Sequence, residues 1–416
     1  MKDREEAAAA LKWTYRGDVV EPDWNSWQVN DVVTPWGKKT IEVKYRDPLL
    51  AGWKALVVED TLPVDYGDED EYTAADGVVP ERITTMVLRF PRIILPEFNT
   101  HRAFSRNSAS SRARSFKTTL RPVMEDPFVP LFTVNQKGMG GKFADNATWR
   151  LAFDSWLRAR DRAVYSTLEE LRGADHMKTT DGYGAVDVLR KKPDYWGEFD
   201  PDLRDDRKTA RRRLEPSDMP DVWEQLTDSY MDAYRSGDLG DFPSIHKQDA
   251  NRLIEPFMWH EALTTSTYWK NFLDLRISEY AQPEIKALAI LVREALKASE
   301  PEHSWLHLPF ISKDGLDVDG EEKMEEAMLA SASECARISY KDRSTMTNRD
   351  GSDLGRRLLA QKHMSPFEHI AVDAKNAADS SRGVAAMLED VRGRDMSSNL
   401  SPSWVQYRRL VSAREQ

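Results

Sequence analysis

The stretch Ile83 to Leu95, ITTMVLRFPRIIL, limits the possible folds more than any other part of this chain. A β-branched, apolar run of this kind forms a buried strand, and a buried strand needs a sheet with other elements packed over it. The next segment is chemically opposite. From Phe98 to Met124 there are six basic residues, Arg102, Arg106, Arg112, Arg114, Lys117 and Arg121, and no Asp or Glu, although the whole chain carries a formal charge of -11. Serines fill the gaps between them in Thr100 to Arg112, THRAFSRNSASSR. Guanidinium groups bind phosphate oxygens bidentately, and small hydroxyl residues let backbone N–H groups approach the same oxygens. A strand delivering a histidine and adjacent arginines to its end predicts a site for a nucleotide phosphate; the plainer alternative is a solvated basic loop.

The bulk properties agree with a small anionic ligand. At 416 residues the chain can hold two domains, or one large domain with insertions, and bury a sizeable core. A sequence pI near 5.4 argues against binding duplex nucleic acid, which needs extended positive surface. Single-strand binding would need more aromatic residues among the basic ones than Phe104 and Phe116. Cys335 is the only cysteine, so no intrachain disulfide or cysteine-based zinc site can form, and a packing role is expected for it. No apolar run has the length of a membrane span and no leader is visible, so the expectation is a cytoplasmic protein.

Along the chain, residues 1 to 30 read as a short helix or loose arm, and strand-like runs occupy Thr40 to Lys44, Ala55 to Glu59 and Ile83 to Leu95. Ala144 to Arg172 is helical in pattern, with Asp145 and Asn146 as candidate caps. Residues 173 to 245 are polar and irregular, and Gly197 to Pro220 looks like a charged surface insertion. Helical periodicity is read from Gln248 to Ala298 and again from Glu321 to about Ile338. With strands early and helices late, the expected class is α+β. The corresponding division is an arm and β-rich region over 1–79, a strand plus phosphate motif over 80–135, a helical and charged insertion over 136–245, core helices over 246–375, and a C-terminal extension over 376–416.

Two later segments carry further chemistry. Asn251 to Glu284 embeds Arg252, Lys270, Asn271 and Arg276 among Phe257, Trp269, Phe272 and Leu273, so its arginines require nearby partners or must sit at a helix rim. Ala336 to His369 begins ARISY and ends HMSPFEH. Its His363, Glu368 and His369 do not follow a zincin pattern because Pro366 interrupts the turn, and no metal is expected.

Together the three segments resemble the flavin-dependent thymidylate synthases. Thr100-His101-Arg102, seven residues, then Ser110 is similar to that family's Arg-His-Arg, seven residues, Ser signature, and Arg112 follows at the family's spacing. NRLIEPF, NFLDLR and AQPEI resemble its nucleotide and flavin helices, and ARISY with HMSPFEH resembles its flavin and folate segment. The order differs: the SPFEH segment lies far downstream of the histidine-arginine motif, as in a circularly permuted phage-type member. Permutation preserves a core where the original termini lie close together at the surface.

The resemblance implies a thymidylate synthase-like α+β fold with a charged helical insertion, assembled as a homotetramer. It also implies FAD as cofactor, with NADPH and methylenetetrahydrofolate as cosubstrates, for methylation of dUMP to dTMP. His101 and Arg102 would hold the flavin, assisted by Asn271, Ser339, Ser365 and Glu368. Ser110, Ser111, Arg112 and Arg252 would grip the nucleotide. Arg276 would contact the pyrimidine and stabilise charge developing on it, and His363 would lie near the flavin face. Thr100 replaces the first arginine of the family's triplet, Glu97 its glutamine, Ser108 its glutamate, Ala113 a tyrosine and Tyr280 a histidine, and Thr264 to Thr267 lacks the family's Asn and Arg. These departures leave open hydroxymethylation or a related modification of dUMP or dCMP, or a nucleotide-binding protein without turnover.

Overall fold

The structure, a computed structural model, describes residues 15–16, 19–34, 37–64, 81–108, 119, 122–123, 126–135, 141–171, 247–313, 321–339, 351–374 and 398–414. Residues 110–112 and the charged stretch 197–220 lie outside them.

Ile83 to Leu95 resolves into a buried strand and a turn. Strand Ile83–Pro91 is followed by a 3-10 turn at Arg92–Ile94 and a short helix at Leu95–Phe98. Numbered in chain order, the strands are β1 Tyr15–Arg16, β2 Val19–Val20, β3 Trp27–Val33, β4 Lys39–Tyr45, β5 Lys54–Leu62, β6 Ile83–Pro91, β7 Ser105–Ser108, β8 Trp259–Ser266, β9 Glu302–His303, β10 Leu306–His307, β11 Ala371–Asp373 and β12 Trp404–Gln406. The helices used below are α1 Leu95–Phe98, α2 Asn146–Leu171, α3 Trp269–Arg276, α4 Pro283–Ala298, α5 Glu321–Ala336, α6 Asp353–Ala360 and α7 Tyr407–Arg414.

The main sheet runs β3-β4-β5-β6-β8-β7, antiparallel throughout, with β9 joining β5 in parallel. Its two faces bury different layers. Met86, Leu88, Phe90 and Ala262 pack beneath α4, whereas Val58, Val87 and Leu263 point the other way, against Phe310, Cys335 and Ile338. Cys335 is buried there, as its packing role required. The period-two alternation of a strand is preserved, but both faces are covered, so little polar signal remains in the sequence.

The same effect accounts for one correction. The helical periodicity read from Gln248 to Ala298 is broken by β8, which pairs with β6 from Trp259 to Ser266 and places Thr264, Thr265 and Ser266 in the interior. A run buried on both sides cannot be told from a buried helix by periodicity alone. True helix returns at α3 and α4. Trp53 and Tyr45 tie α4 to the sheet through hydrogen bonds from the indole N–H to the Glu284 carbonyl (3.1 Å) and from the phenol to the Ala287 carbonyl (3.1 Å). Full burial of aromatic side chains such as Trp53 and Phe90 contributes roughly 1.5–3 kcal/mol each or more.

A second, three-stranded sheet, β10-β11-β12, lies with α5 and α7 around Met324, Met328, Phe367, Val372 and Tyr407. Helix α2 begins where expected, with the Asp145 carboxylate accepting from the Thr148 N–H at 2.7 Å; that bond holds its pKa below the ordinary value. The class is therefore mixed α and β with antiparallel sheets, in agreement with α+β.

Candidate functional site

The buried strand β6 ends in a tight turn, and the turn delivers α1 and the Asn99 to Phe104 loop beside α3. The local cause is apolar. Phe98, Phe104 and Phe272 pack edge-to-face or tilted at 5.4 to 6.0 Å, and Trp269 closes on Phe104 at 4.7 Å. His101 lies in the same cluster, stacked near Phe104 and edge-on to Phe272 at 4.9 Å. An apolar floor thus forces the polar ends of α1 and α3 to meet.

At that meeting point each nitrogen of Arg276, the last residue of α3, has one partner. Its Nε donates to His101 Nε2 at 3.0 Å, one Nη pairs with the Glu97 carboxylate, and the other reaches Thr100 Oγ1 at 3.4 Å. The ion pair is mostly shielded from solvent on both sides, so it is stronger than a surface pair. Because Nε2 accepts, His101 carries its proton on Nδ1. Burial first, and then Arg276 and Arg106, bring its pKa down from 6.5 to about 4. The arginine required a partner by its surroundings, and Glu97, visible in the sequence only as a departure from a family pattern, is that partner.

Strand β7 forms the second wall. Arg106 donates to the carbonyls of Phe98 (3.3 Å) and His101 (3.4 Å), which pins the loop, and its own pKa is lowered by burial, partly offset by Glu368. The 3-10 turn Ser365–His369 packs on β7. Gln406 joins them: its Nε2 donates to Ser105 Oγ (3.0 Å) and to the Glu368 carbonyl (3.0 Å), while Asn399 Nδ2 donates to the Ala103 carbonyl (3.2 Å). On the other side, Asn107 Nδ2 donates to the Cys335 carbonyl at 3.3 Å, at the end of α5 and just ahead of the 3-10 turn Arg337–Ser339. Segments separated by hundreds of residues therefore converge on one strand edge.

The individual residues divide into groups. His101, Arg276 and Glu368 belong to this convergence, with Glu368 ion-paired to Arg408. Arg102 and Asn271 are exposed and have no side-chain hydrogen bond or ion pair among the described residues, so their polar ends face solvent. Ser365 is exposed at the start of the 3-10 turn. His363 is exposed, directly after Lys362 in the left-handed region (φ 59°), and shares no side-chain hydrogen bond with the Arg276 cluster among the described residues. Arg252 is exposed, shares no side-chain hydrogen bond with that cluster among the described residues, and faces Asp249 one turn away at 3.9 Å. Ser339 ends a 3-10 turn near β7 and β8. Ser110, Ser111 and Arg112 fall outside the described residues.

Sequence reading missed Ser105, Arg106, Asn399 and Gln406 as organisers. Arg106 was visible as part of the basic run. Nothing local distinguishes Asn399 or Gln406, which reach the site only because β12 pairs with β11 directly after the 3-10 turn. Among the described residues no group of three or more His, Cys, Asp or Glu is placed to hold a metal ion, and no helix is long and apolar enough to cross a membrane. No protein-family model matches this chain, and no curated protein matches it.

Proposed function

We propose that this protein is a flavin-dependent methyltransferase acting on a pyrimidine deoxynucleotide, most simply dUMP to dTMP, with methylenetetrahydrofolate as carbon donor and NADPH as reductant. The observation that carries the reading is the convergence of Arg276, His101 and the Ser365–His369 turn, which are far apart in sequence, along α1 and β7. All three lie in segments that resemble motifs of a single family, and a shared site is what that resemblance requires of them.

The donor set suits an anionic, planar ligand. Arg102 and Asn271 present unengaged polar ends, and the buried Phe98, Phe104 and Phe272 beneath them fix where α1 and α3 hold those ends. A reduced flavin, when bound, supplies the reducing equivalents that convert the transferred carbon to a methyl group. Arg276 is the residue assigned to the pyrimidine: a guanidinium held rigid by Glu97 and His101 costs little reorganisation as negative charge develops on the ring. Neutral His101 adds no second positive charge beside Arg276. His363 and Ser365 are assigned to the flavin and folate side.

Glu97 favours a second reading. A carboxylate beside Arg276 can accept a hydrogen bond from the exocyclic amine of cytosine, so hydroxymethylation or a related modification of dCMP or dUMP is the alternative. The test is anaerobic incubation of the full chain with FAD, NADPH, methylenetetrahydrofolate and either dUMP or dCMP, with products weighed by mass spectrometry. A methyl mass on dUMP, lost in Arg276→Ala, is expected. A hydroxymethyl mass, or turnover of dCMP alone, selects the second reading, and Glu97→Gln should then shift turnover towards dUMP. Bound flavin without any nucleotide product refutes both.

A further inference from the structure

Between the two sheets runs a line of buried hydroxyl and imidazole groups. Thr61 Oγ1 meets His307 Nδ1 at 2.8 Å, and His307 Nε2 meets Thr85 Oγ1 at 2.7 Å. Thr85 Oγ1 meets Thr265 Oγ1 at 2.6 Å, and Thr265 Oγ1 meets His369 Nδ1 at 2.8 Å. All five side chains are buried. At one end Thr61 lies 3.5 Å from a carboxylate oxygen of Glu59, which is paired with Lys313 (2.8 Å) and Lys38 (2.6 Å). Glu59 and Lys38 line a surface cleft of about 560 Å³ together with Glu302, which is half exposed. At the other end His369 Nε2 is buried with no hydrogen-bond partner.

We propose that Glu59, Thr61, His307, Thr85, Thr265 and His369 form a proton pathway connecting the surface cleft of Lys38 and Glu302, through the buried Glu59 carboxylate, to the interior at His369, one residue from Glu368. It does not depend on the nucleotide reading.

The number of hydrogens available fixes how the line can be ordered. Each threonine hydroxyl has one proton to donate, and each neutral imidazole has one N–H and one acceptor nitrogen. With both histidines protonated on Nδ1, His369 donates to Thr265, Thr265 to Thr85, Thr85 to His307, His307 to Thr61, and Thr61 to Glu59. With both protonated on Nε2, the bonds from Thr61 to His369 all reverse. If His307 held Nδ1–H and His369 Nε2–H, both central hydroxyls would donate outward, leaving two oxygens at 2.6 Å with no hydrogen between them. The opposite mixture leaves the hydroxyl hydrogen of either Thr85 or Thr265 without an acceptor. The line therefore has two complete states, in which the two histidines share one tautomer.

Passage of one proton converts one state to the other. With both rings protonated on Nε2, a proton taken up by Glu59 from the cleft it lines passes to Thr61 and on to His307 Nδ1. Each ring and hydroxyl then hands on its own, until Thr265 gives one to His369 Nδ1. The proton that leaves Glu59 is balanced by the one that arrives at His369, so the total charge of the line does not change. Burial holds both rings neutral, with pKa values well below the usual histidine value, so they relay charge and do not store it. Lys313 and Lys38 reinforce this at His307.

The test is NMR of the full chain labelled with ¹⁵N-histidine. In the unaltered protein His307 and His369 are expected to show the same tautomer; opposite tautomers overturn the proposal. In Thr85→Val, which keeps the shape and removes the hydroxyl, exchange of the His369 ring proton with D₂O should slow by roughly tenfold or more, because it must then wait for local opening. Thr85→Ser should restore it, and exchange at exposed His303 should not change. A Thr85→Val protein that exchanges as fast as the original refutes a relay and leaves the line as packing alone.

Discussion

Replacing His101 by glutamine tests the electrostatics on which the Arg276 cluster depends. His101 accepts from Arg276 Nε, so a second ring proton would remove the acceptor and set two cations side by side. The folded protein resists that proton, and the pKa falls from 6.5 to about 4. Between those values the unfolded chain binds more protons than the folded one, so stability falls as pH drops from 6.5 towards 4 and is unaffected by this group above 6.5. At about 1.4 kcal/mol per pH unit the displacement amounts to roughly 3 kcal/mol, and solvent screening at the rim of the site brings it to about 2 kcal/mol. Glutamine does not titrate, and its side-chain oxygen can still accept from Arg276. The assay is urea unfolding, followed by tryptophan fluorescence, between about pH 7.5 and pH 4. His307 and His369 also favour neutrality and destabilise both proteins equally in acid. Over that range the original protein should lose about 2 kcal/mol more than His101→Gln at unchanged m. Parallel pH profiles would show that His101 is not held neutral by burial and Arg276, and the electrostatic basis of the site would fail with it.

Two further substitutions probe the scaffold that positions the site. Arg82 is buried and joins Asp60 on β5 to the end of α4, donating to Asp60 Oδ1 (2.8 Å) and to the carbonyls of Leu296 (2.9 Å) and Ser299 (2.9 Å). Arg82→Met should cost about 3–5 kcal/mol in chemical denaturation because it leaves the Asp60 charge buried, and adding Asp60→Asn should recover part of that loss. No recovery in the double variant would place the cost in the lost bonds to the helix carbonyls. Gly52 has φ +101° and an added Cβ would lie 2.3 Å from the Trp259 ring, which packs against Trp53 at 5.0 Å. Gly52→Ala should therefore cost about 2–4 kcal/mol and alter the near-ultraviolet circular dichroism, whereas an unchanged spectrum and stability would refute the close approach.

The fate of particular segments shows how far sequence reading reached. Strands β4 and β5 were legible because turn residues bracket β-branched runs, and α5 because its period and bounds are clean. The turn at the end of β6 was hidden: Arg92–Ile94 and α1 continue an apolar run with no glycine to mark the bend. Thr264 to Ser266 read as a departure from a family pattern, and in the structure they are interior β8 positions, with Thr265 bonded to both Thr85 and His369. Arg276 was legible as an arginine in need of a partner, since charge among aromatic residues cannot stay unpaired.

By itself the sequence determined which chemistry the chain holds: a basic, serine-rich segment after a buried strand, one cysteine, and arginines set among aromatic residues. These properties come from composition and period, which are local. Only the tertiary structure decided which of them meet. Glu97 becomes the partner of Arg276, Gln406 the link between Ser105 and Glu368, and His307 the bridge between Thr61 and Thr85. Each of these depends on strand pairing across long loops, where register and direction are set by burial of whole faces and not by the residues that end up touching.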